Sequence, residues 1–324
     1  MSDQYVTHSI IYAYAENKVN LKREDVTEYR NQANRLRDNL AEYINAHPDY
    51  NLLRMYNAGS VPKGTALSTL NDIDVAVYIR KSDQEPSETE LLTWLQEQLR
   101  EAYKSKGIKP EQIQINAHCV TIKFEGTGLK VDVSPVICED STTNYGYLIR
   151  KTTGKRVLTN IPLHLQFIRD RKKKQPHDYR QVIRLIKWWA RHIKNGNENF
   201  RFKSFLGELL CAHLLDSGKS MKDYIQALEN FFTYIITSEL KERIYFTDNY
   251  TKDKLPAKSS ASIEIFDPIN PENNIVENYT DADRRAIIEA AHDALDAICE
   301  AKYATTKQRA LECWRRIFGP TFNF

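Results

Sequence analysis

Residues 59–79 read GSVPKGTALSTLNDIDVAVYI, and this stretch indicates the fold of the first part of the chain. From position 72 onward, apolar residues occupy positions 73, 75, 77 and 79, the period of two that is typical of a β-strand with one buried face. Asp72 and Asp74 then share the opposite face, one strand repeat apart. Two carboxylates placed in this way repel each other unless a cation lies between them. The stretch therefore predicts a strand that carries a cation site.

A third carboxylate follows in a predicted β-hairpin. Apolar residues alternate at 120, 122 and 124 and again at 129, 131 and 133, on either side of the turn sequence EGTG at 125–128. Because Val131 and Val133 would face the core, Asp132 would point to the other face. Mg²⁺ prefers oxygen ligands and is usually held by one or two carboxylates together with substrate phosphates. We therefore expect Asp72, Asp74 and Asp132 to hold two Mg²⁺ ions, for which Mn²⁺ can substitute, and Asp132 to act as general base.

The beginning of the same stretch is suited to a phosphate group. Gly59 permits a close approach of the backbone, and Ser60 offers a hydroxyl for a phosphate oxygen. A lone Gly-Ser or Asp-x-Asp is unspecific and is usually found in turns or on surfaces. In this order, followed by a single aspartate on a later strand, the motifs predict two-metal transfer of a nucleotidyl group from a triphosphate.

Hydrophobic periodicity divides the chain into two predicted domains. Residues 1–160 would form a mixed α/β core that includes a long N-terminal spine helix between Leu21 and His47. A capping box of Ser87 and Glu90 would begin a second helix, ended by Gly107. Residues 161–324 have helical periodicity almost throughout, apart from a predicted surface loop at 252–274. The predicted fold class is therefore α+β.

Composition limits the kind of protein and its environment. The chain has 324 residues with 41% hydrophobic residues, and its net charge of +3 is too small to indicate a general polyanion binder. Five scattered cysteines without a CxxC pair argue against a disulfide framework or a zinc site. The sequence has neither a signal peptide pattern nor an apolar run of membrane-spanning length. We expect a cytoplasmic protein with no membrane association.

Three segments of the helical half add to these motifs. They are RLIKWW at 184–189, KSFLGELL at 203–210 and FDPINPENN at 266–274. With the acidic motifs, they resemble the DNA polymerase β-like nucleotidyltransferases. Within that superfamily the chain is most similar to the bacterial cGAS/DncV-like nucleotidyltransferases (CD-NTases) of CBASS anti-phage signalling, and its N-terminal half resembles the CdnC clade.

This resemblance implies both a fold and an activity. The fold is a polymerase β-like nucleotidyltransferase core, a mixed sheet with flanking helices, plus a helical oligoadenylate-synthetase-like domain that closes the active-site cleft. The activity is Mg²⁺-dependent synthesis of a cyclic di- or trinucleotide second messenger, adenine-containing, from NTPs such as ATP, with release of pyrophosphate. Base preference, linkage type and ring size do not follow from the motifs.

The resemblance also implies roles for three residues of the helical half. Lys187 and Ser204 occupy the family's positions for triphosphate contacts, and Phe205 occupies the position of an aromatic side chain that stacks on a nucleobase. Ser204 precedes an apolar run and is a candidate N-cap, whose helix end would favour phosphate. Each residue has a simpler interpretation: Lys187 as a lysine of a core helix, Ser204 as a plain N-cap and Phe205 as a core aromatic.

The sequence indicates the binding partners of the protein less clearly than its reaction. The resemblance to the CdnC clade suggests a HORMA-domain activator protein. The basic run Arg171, Lys172, Lys173 and Lys174 is a candidate contact for duplex DNA, and a solvated helix end is the alternative interpretation.

Two rival functions share the carboxylates. A template-independent RNA-terminal nucleotidyltransferase needs a basic tract for its polynucleotide, and a small-molecule nucleotidyltransferase that modifies an antibiotic usually needs an acidic pocket for a cationic acceptor. A non-catalytic nucleotide sensor or scaffold on the same fold is a third reading, although it has no need of three aligned carboxylates.

Overall fold

The computed structural model describes residues 5–47, 51–70, 72–80, 88–149 and 156–324. The chain forms two compact units, Leu21–Gln166 and a second unit that combines Met1–Asn20 with Phe167–Phe324. These units differ from the expected domains 1–160 and 161–324. The N-terminal residues pack with the helical unit because Tyr14 is buried there, where its hydroxyl lies 2.9 Å from the Thr321 hydroxyl.

The unit Leu21–Gln166 is built on a mixed sheet, which confirms the α+β expectation. Within the described residues this sheet has seven strands in the order β1-β2-β5-β4-β3, with β6 beside β5 and β7 beside β6. The strands are β1 (Asn51–Ala58), β2 (Asp72–Arg80), β3 (Ile113–Ile115), β4 (Val120–Lys123), β5 (Lys130–Cys138), β6 (Gly146–Ile149) and β7 (Arg156–Thr159). The helices of this part of the chain are α2 (Arg23–Ala46), α3 (Ser60–Lys63) and α4 (Glu88–Tyr103).

The spine helix is confirmed as α2, which covers one face of the sheet. Its residues Ala33, Leu36, Leu40 and Ile44 are buried at the spacing of three and four that the sequence indicated. They pack in one core with the apolar residues of β2 and with α4. The predicted cap residue Ser87 lies outside the described residues.

Strands β2 and β5 lie side by side in the middle of the sheet and run parallel. The apolar residues of β2 at 73, 75, 77 and 79 all join the core under α2 and α4. The opposite face of β2 is buried only at its later residues, where Ala76 and Tyr78 pack against Val136 and Cys138. The first residues of both strands therefore have one buried face and one face that is open to polar chemistry.

The second unit is helical, as expected. It contains α1 (His8–Tyr14), a π-helical turn (Ala15–Val19), most of α5 (Ile161–Lys174), α6 (Asp178–Gly196), α7 (Ser204–Asp216), α8 (Tyr224–Ser238), α9 (Asp281–Lys302) and α10 (Lys307–Phe318). In the part of the chain that the structure covers, no helix has the length and apolar character that a membrane crossing requires.

The segment at 252–274 is not the surface loop that we predicted, because its second half is buried. Ile265 and Phe266 are almost fully inaccessible to solvent, and so is the side chain of Asn274. The Asn274 amide accepts a hydrogen bond from the backbone of Ile265 at 3.1 Å and donates to the Ile263 carbonyl at 2.7 Å. These bonds satisfy backbone groups that an irregular segment would otherwise bury without partners.

Candidate active site

The parallel pairing of β2 and β5 brings two of the three predicted carboxylates together. Asp74 lies opposite Asp132 in the register of the two strands, and Asp72 lies opposite Lys130. Partners in a parallel ladder point to the same face, about 4.8 Å apart between strands, and Asp72 follows on that face about 7 Å along β2. All three side chains are therefore on the face opposite the α2 core.

Gly59 lies against the Asp74 carboxylate. Ala58, the last residue of β1, pairs with Asp74, so the chain passes the carboxylate as it leaves the sheet. Gly59 has a φ of +71°, and a Cβ atom at this position would lie 1.7 Å from Asp74 Oδ2. Only glycine leaves room for the carboxylate there. The same turn places Ser60, the residue after Gly59, at the start of α3.

The Asp132 carboxylate is held by a neighbour that the sequence analysis missed. Thr121 is the register partner of Asp132 on β4, and its hydroxyl donates a hydrogen bond to Asp132 Oδ1. The alternation of the predicted hairpin placed Thr121 on the same face as Asp132, which was the available signal. Close by, burial and then the charge of Asp132 raise the pKa of the Cys119 thiol to about 11. Cys119 is therefore a neutral thiol near neutral pH.

A polar cavity of about 780 Å³ opens beside Asp72 and Asp132. Its wall is formed by side chains of β2, β3, β4 and β5, of the short segment before β3, and of the turns that join β3, β4 and β5. These lining residues include three lysines, Lys109, Lys123 and Lys130, and three amides, Gln112, Gln114 and Asn116. The lining also contains four carboxylates, those of Asp72, Glu111, Glu125 and Asp132. The lysines and amides are suited to phosphate groups, and the carboxylates are suited to divalent cations that accompany such groups.

The carboxylate oxygens at this end of the sheet are the kind of ligand that a hard divalent cation binds, although they do not converge on one common position. In the part of the chain that the structure describes, no group of three or more His, Cys, Asp or Glu side chains is arranged to hold a metal ion. The backbone positions of Asp74 and Asp132 are fixed by the ladder, however, and Asp72 and Asp74 are exposed at its end. Side chains at these positions can adopt other rotamers, and carboxylate oxygens are the ligands that Mg²⁺ prefers.

Lys187 and Ser204 belong to the helical unit and lie on α6 and α7. Lys187 is buried, with its Nζ 3.9 Å from Oε1 of the buried Glu208. Ser204 is not the N-cap of α7, because Lys203 occupies that position with extended backbone angles and Ser204 is the first helical residue. The expected capping role is therefore wrong by one position, and the exposed Ser204 hydroxyl is not used as a cap. Phe205 is half-buried, and its predicted stacking on a base remains untested.

We expect Lys187→Ala to raise the KM for ATP about tenfold or more. The triphosphate contact that the family resemblance implies for Lys187 is charge-assisted, and such a contact is worth about 1.5–3 kcal/mol. Steady-state kinetics would measure this, with Lys194→Ala, an exposed lysine on the same helix, as the matched control. Since the change also leaves Glu208 buried without this lysine, Lys187→Ala combined with Glu208→Gln should recover stability but not KM. Native kinetics in the folded double variant would make Lys187 a purely structural residue.

The basic run at the end of α5 is only partly available to a nucleic acid. Arg171 is buried, and its guanidinium donates to Asp216 Oδ2 at 2.9 Å and to Asp248 Oδ1 at 2.9 Å. It also lies 3.6 Å from the centre of the Phe167 ring. Burial by itself lowers the pKa of Arg171, but the hydrogen bonds and charges of Asp248 and Asp216 outweigh this and raise it. The expectation that Arg171 contacts DNA is wrong, because its donors are already bound to carboxylates inside the unit.

Two of the three lysines that follow Arg171 also form ion pairs, although at the surface. Lys174 pairs with Asp216 at 2.8 Å and Lys173 with Asp170 at 2.8 Å. Both lysines are more than half exposed, and such surface pairs are weak. Lys172, Lys173 and Lys174 are thus the part of the run that a polyanion can still reach.

Arg171→Ala should destabilise the helical unit by about 3–5 kcal/mol, because it leaves Asp216 and Asp248 facing each other without their shared cation. Thermal unfolding would show the loss, and Lys172→Ala, one residue further along α5, should change the free energy of unfolding by less than about 0.5 kcal/mol. Equal effects of the two substitutions would show that the buried ion pairs contribute nothing.

Known proteins are similar to this chain in both sequence and structure. Residues 140–316 match the family described as 2'-5'-oligoadenylate synthetase 1, domain 2, C-terminus. The chain is 45% identical over 323 residues to a cyclic AMP-AMP-AMP synthase of Escherichia coli strain MS 115-1, with 100% of both chains covered. It is 30% identical over 328 residues, and 98% of both chains, to a CBASS oligonucleotide cyclase CdnC of E. coli strain KTE188.

Two solved structures of CdnC from E. coli MS115-1 are also similar. One contains ATP and superposes with a TM-score of 0.91 at 45% identity, covering 99% of this chain and 100% of that one. The other is a complex with HORMA-deltaN and superposes with a TM-score of 0.91 at 44% identity, covering 99% of both chains.

Proposed function

Because the chain belongs to the CdnC group of CBASS oligonucleotide cyclases, and is thus a nucleotidyltransferase that makes a cyclic oligonucleotide, we propose that it converts ATP into a cyclic adenine trinucleotide. The observation that carries the assignment of its active site is the pairing of Asp74 with Asp132 beside Gly59. The ring size and base follow the product named for the relative that is 45% identical over its whole length.

In this proposal Asp72, Asp74 and Asp132 hold two divalent cations, Mg²⁺ or Mn²⁺. Such ions, when bound, neutralise charge on the triphosphate and lower the pKa of the attacking hydroxyl. Asp132 accepts the proton of the acceptor 3'- or 2'-hydroxyl as this oxygen attacks the α-phosphorus in line and pyrophosphate leaves. Gly59 lets Asp74 approach, and Ser60 donates its hydroxyl to a phosphate oxygen. Lys187 and Ser204 add further phosphate contacts, and Phe205 stacks on a base.

Regulation by partners belongs to the same proposal. The similarity to CdnC, which has been solved in a complex with HORMA-deltaN, supports a HORMA-domain protein as the activator of this chain. Duplex DNA remains a proposed second activator. The proposed DNA contact no longer includes Arg171 and consists of Lys172, Lys173 and Lys174. Mutation of these lysines should leave turnover without DNA unchanged and remove any salt-sensitive stimulation by DNA.

Family membership separates this function from its rivals. An RNA-terminal or small-molecule nucleotidyltransferase releases linear products, and a sensor or scaffold consumes no substrate. The purified protein, with a HORMA-domain partner where needed, is incubated with α-labelled ATP and Mg²⁺ and then with phosphatase. We expect a labelled product that resists phosphatase and matches a cyclic trinucleotide by mass. A product that loses its terminal label to phosphatase, a resistant product of another mass, or no ATP consumption with every partner present would contradict the proposal.

A further inference from the structure

A chain of hydrogen bonds leads away from Asp132 along the edge of the sheet. Asp132 Oδ1 accepts from the Thr121 hydroxyl, and Thr121 Oγ1 lies 2.6 Å from the side-chain nitrogen of Asn116. Asn116 is fixed in turn by the turn between β3 and β4, where its backbone N–H donates to the Cys119 carbonyl at 2.8 Å. The three side chains lie on three different segments of the chain and all of them line the same cavity.

The chemistry of the groups sets the direction of this chain. An ionised carboxylate can only accept hydrogen bonds, so the single proton of the Thr121 hydroxyl must go to Asp132. The Thr121 oxygen is then free only to accept, so Asn116 must present its NH₂ group to it. Cys119 Sγ also lies 3.9 Å from the Thr121 oxygen, where its thiol can add a weak hydrogen bond. With the Thr121 proton on Asp132, the Asn116 amide has only one orientation that satisfies this contact.

The position of Asp132 beside Asp74 indicates what these hydrogen bonds do. Asp132 is next to Asp74 in the parallel ladder, and two neighbouring carboxylates turn away from each other unless something holds them. Thr121 binds Oδ1 from the β4 side, opposite β2, so that the second oxygen of Asp132 keeps a fixed direction. Partners that fix a metal-binding carboxylate in this way commonly matter about 10–100-fold for metal affinity or rate.

We propose that Thr121 and Asn116 are positioning residues that orient the Asp132 carboxylate for metal binding and proton transfer. This inference rests on the proposed function of Asp132. Thr121 acts directly on the carboxylate, and Asn116 acts through Thr121 by fixing the direction in which its hydroxyl points.

The test compares substitutions that separate shape from hydrogen bonding. Thr121→Val keeps the size of the side chain and removes the donor, whereas Thr121→Ser keeps the donor. Thr142→Val is a matched control, because Thr142 also donates to an aspartate, Asp140, at 2.6 Å, but at the other end of β5, about 20 Å or more from Asp132. Thermal unfolding of each variant excludes loss of the fold as the cause.

Two readouts are needed, and one of them is independent of turnover. Binding of Mn²⁺ is followed by electron paramagnetic resonance in the presence of a non-hydrolysable ATP analogue, and kcat and KM for ATP are measured separately. Thr121→Val should weaken Mn²⁺ binding or lower kcat by about 10–100-fold with little change in KM, and Asn116→Ala should have a smaller effect in the same direction. Thr121→Ser and Thr142→Val should stay within about threefold of the native protein.

Asp132→Asn, measured in parallel, distinguishes failure of this inference from failure of the proposed function. If Thr121→Val binds Mn²⁺ and turns over like the native protein while Asp132→Asn is inactive, the positioning role is wrong and the site stands. A loss in Thr121→Ser as large as in Thr121→Val would show that packing matters and not the hydroxyl. An active Asp132→Asn variant would overturn both.

Discussion

Replacing both Asp72 and Asp74 by asparagine will lower ATP consumption by at least ~1000-fold, which corresponds to about 4 kcal/mol of transition-state stabilisation. An amide keeps the shape of a carboxylate but loses the charge that binds a divalent cation. The two side chains are exposed at the end of β2, so no core packing is disturbed. Turnover of labelled ATP under saturating Mg²⁺ measures the loss.

The thermal stability of the double variant provides a second test of this prediction. In the absence of metal the substitution removes like charges that face Asp132, and such repulsion costs roughly 0.2–1 kcal/mol between neighbouring strands. The melting temperature of the double variant should therefore be unchanged or slightly raised, and Mn²⁺ should no longer raise it. Glu111→Gln with Glu125→Gln also removes two charges, from the cavity that Asp72 lines, and should retain activity. A folded, fully active double variant of Asp72 and Asp74 would disprove the site.

Gly59→Ala will lower activity by at least ~100-fold and destabilise the protein by about 1–3 kcal/mol, the cost of forcing a side chain into backbone angles that only glycine readily adopts. Gly59 has a φ of +71° and a ψ of −153°, and the new methyl group would meet the Asp74 carboxylate at 1.7 Å. Either the turn or the carboxylate has to move, and both belong to the proposed site. Kinetics and thermal unfolding measure the two effects.

Two comparisons isolate the contact with Asp74. Gly126→Ala adds the same methyl group in the hairpin turn, where it would meet nothing within 4 Å, and should be nearly neutral. In an Asp74→Ala background, Gly59→Ala should cost stability but little further activity, because the carboxylate that it displaces is already gone. Additive losses of activity would mean that Gly59 acts independently of Asp74.

Three of the seven described strands, β2, β4 and β5, could be predicted from the sequence because their residues alternate clearly. β4 and the first residues of β2 and β5 have one polar and one apolar face, and the hairpin turn between β4 and β5 is marked by glycines. β1 was not predicted, since its sequence NLLRMYNA shows no period of two. The structure gives the reason: the register of its pairing with β2 shifts between Leu52 and Arg54, which breaks the alternation.

The candidate site was predictable where residue type implies chemistry, and not where chemistry depends on long-range packing. Asp74 and Asp132 had to share a face because of strand alternation alone. The burial of Arg171 had no local signal, because its partners Asp216 and Asp248 lie on other elements and a run of basic residues usually lies in solvent. The Asn116 contact depends on how the β3–β4 turn folds back, which no pattern in the sequence encodes.

The helical unit is formed by two separate stretches of the chain, and this determines the order in which the protein can fold while it is being synthesised. Tyr14 packs against Phe318 and Phe322 and lies 307 residues before its hydrogen-bond partner Thr321. At about 5–20 residues per second, the ribosome adds that partner about 15–60 s later. The sheet unit Leu21–Gln166 is continuous in sequence and is finished first. A nascent chain therefore carries its carboxylates early but lacks a closed helical unit. A polypeptide released before these last aromatic residues would carry the proposed catalytic acids without a finished enzyme.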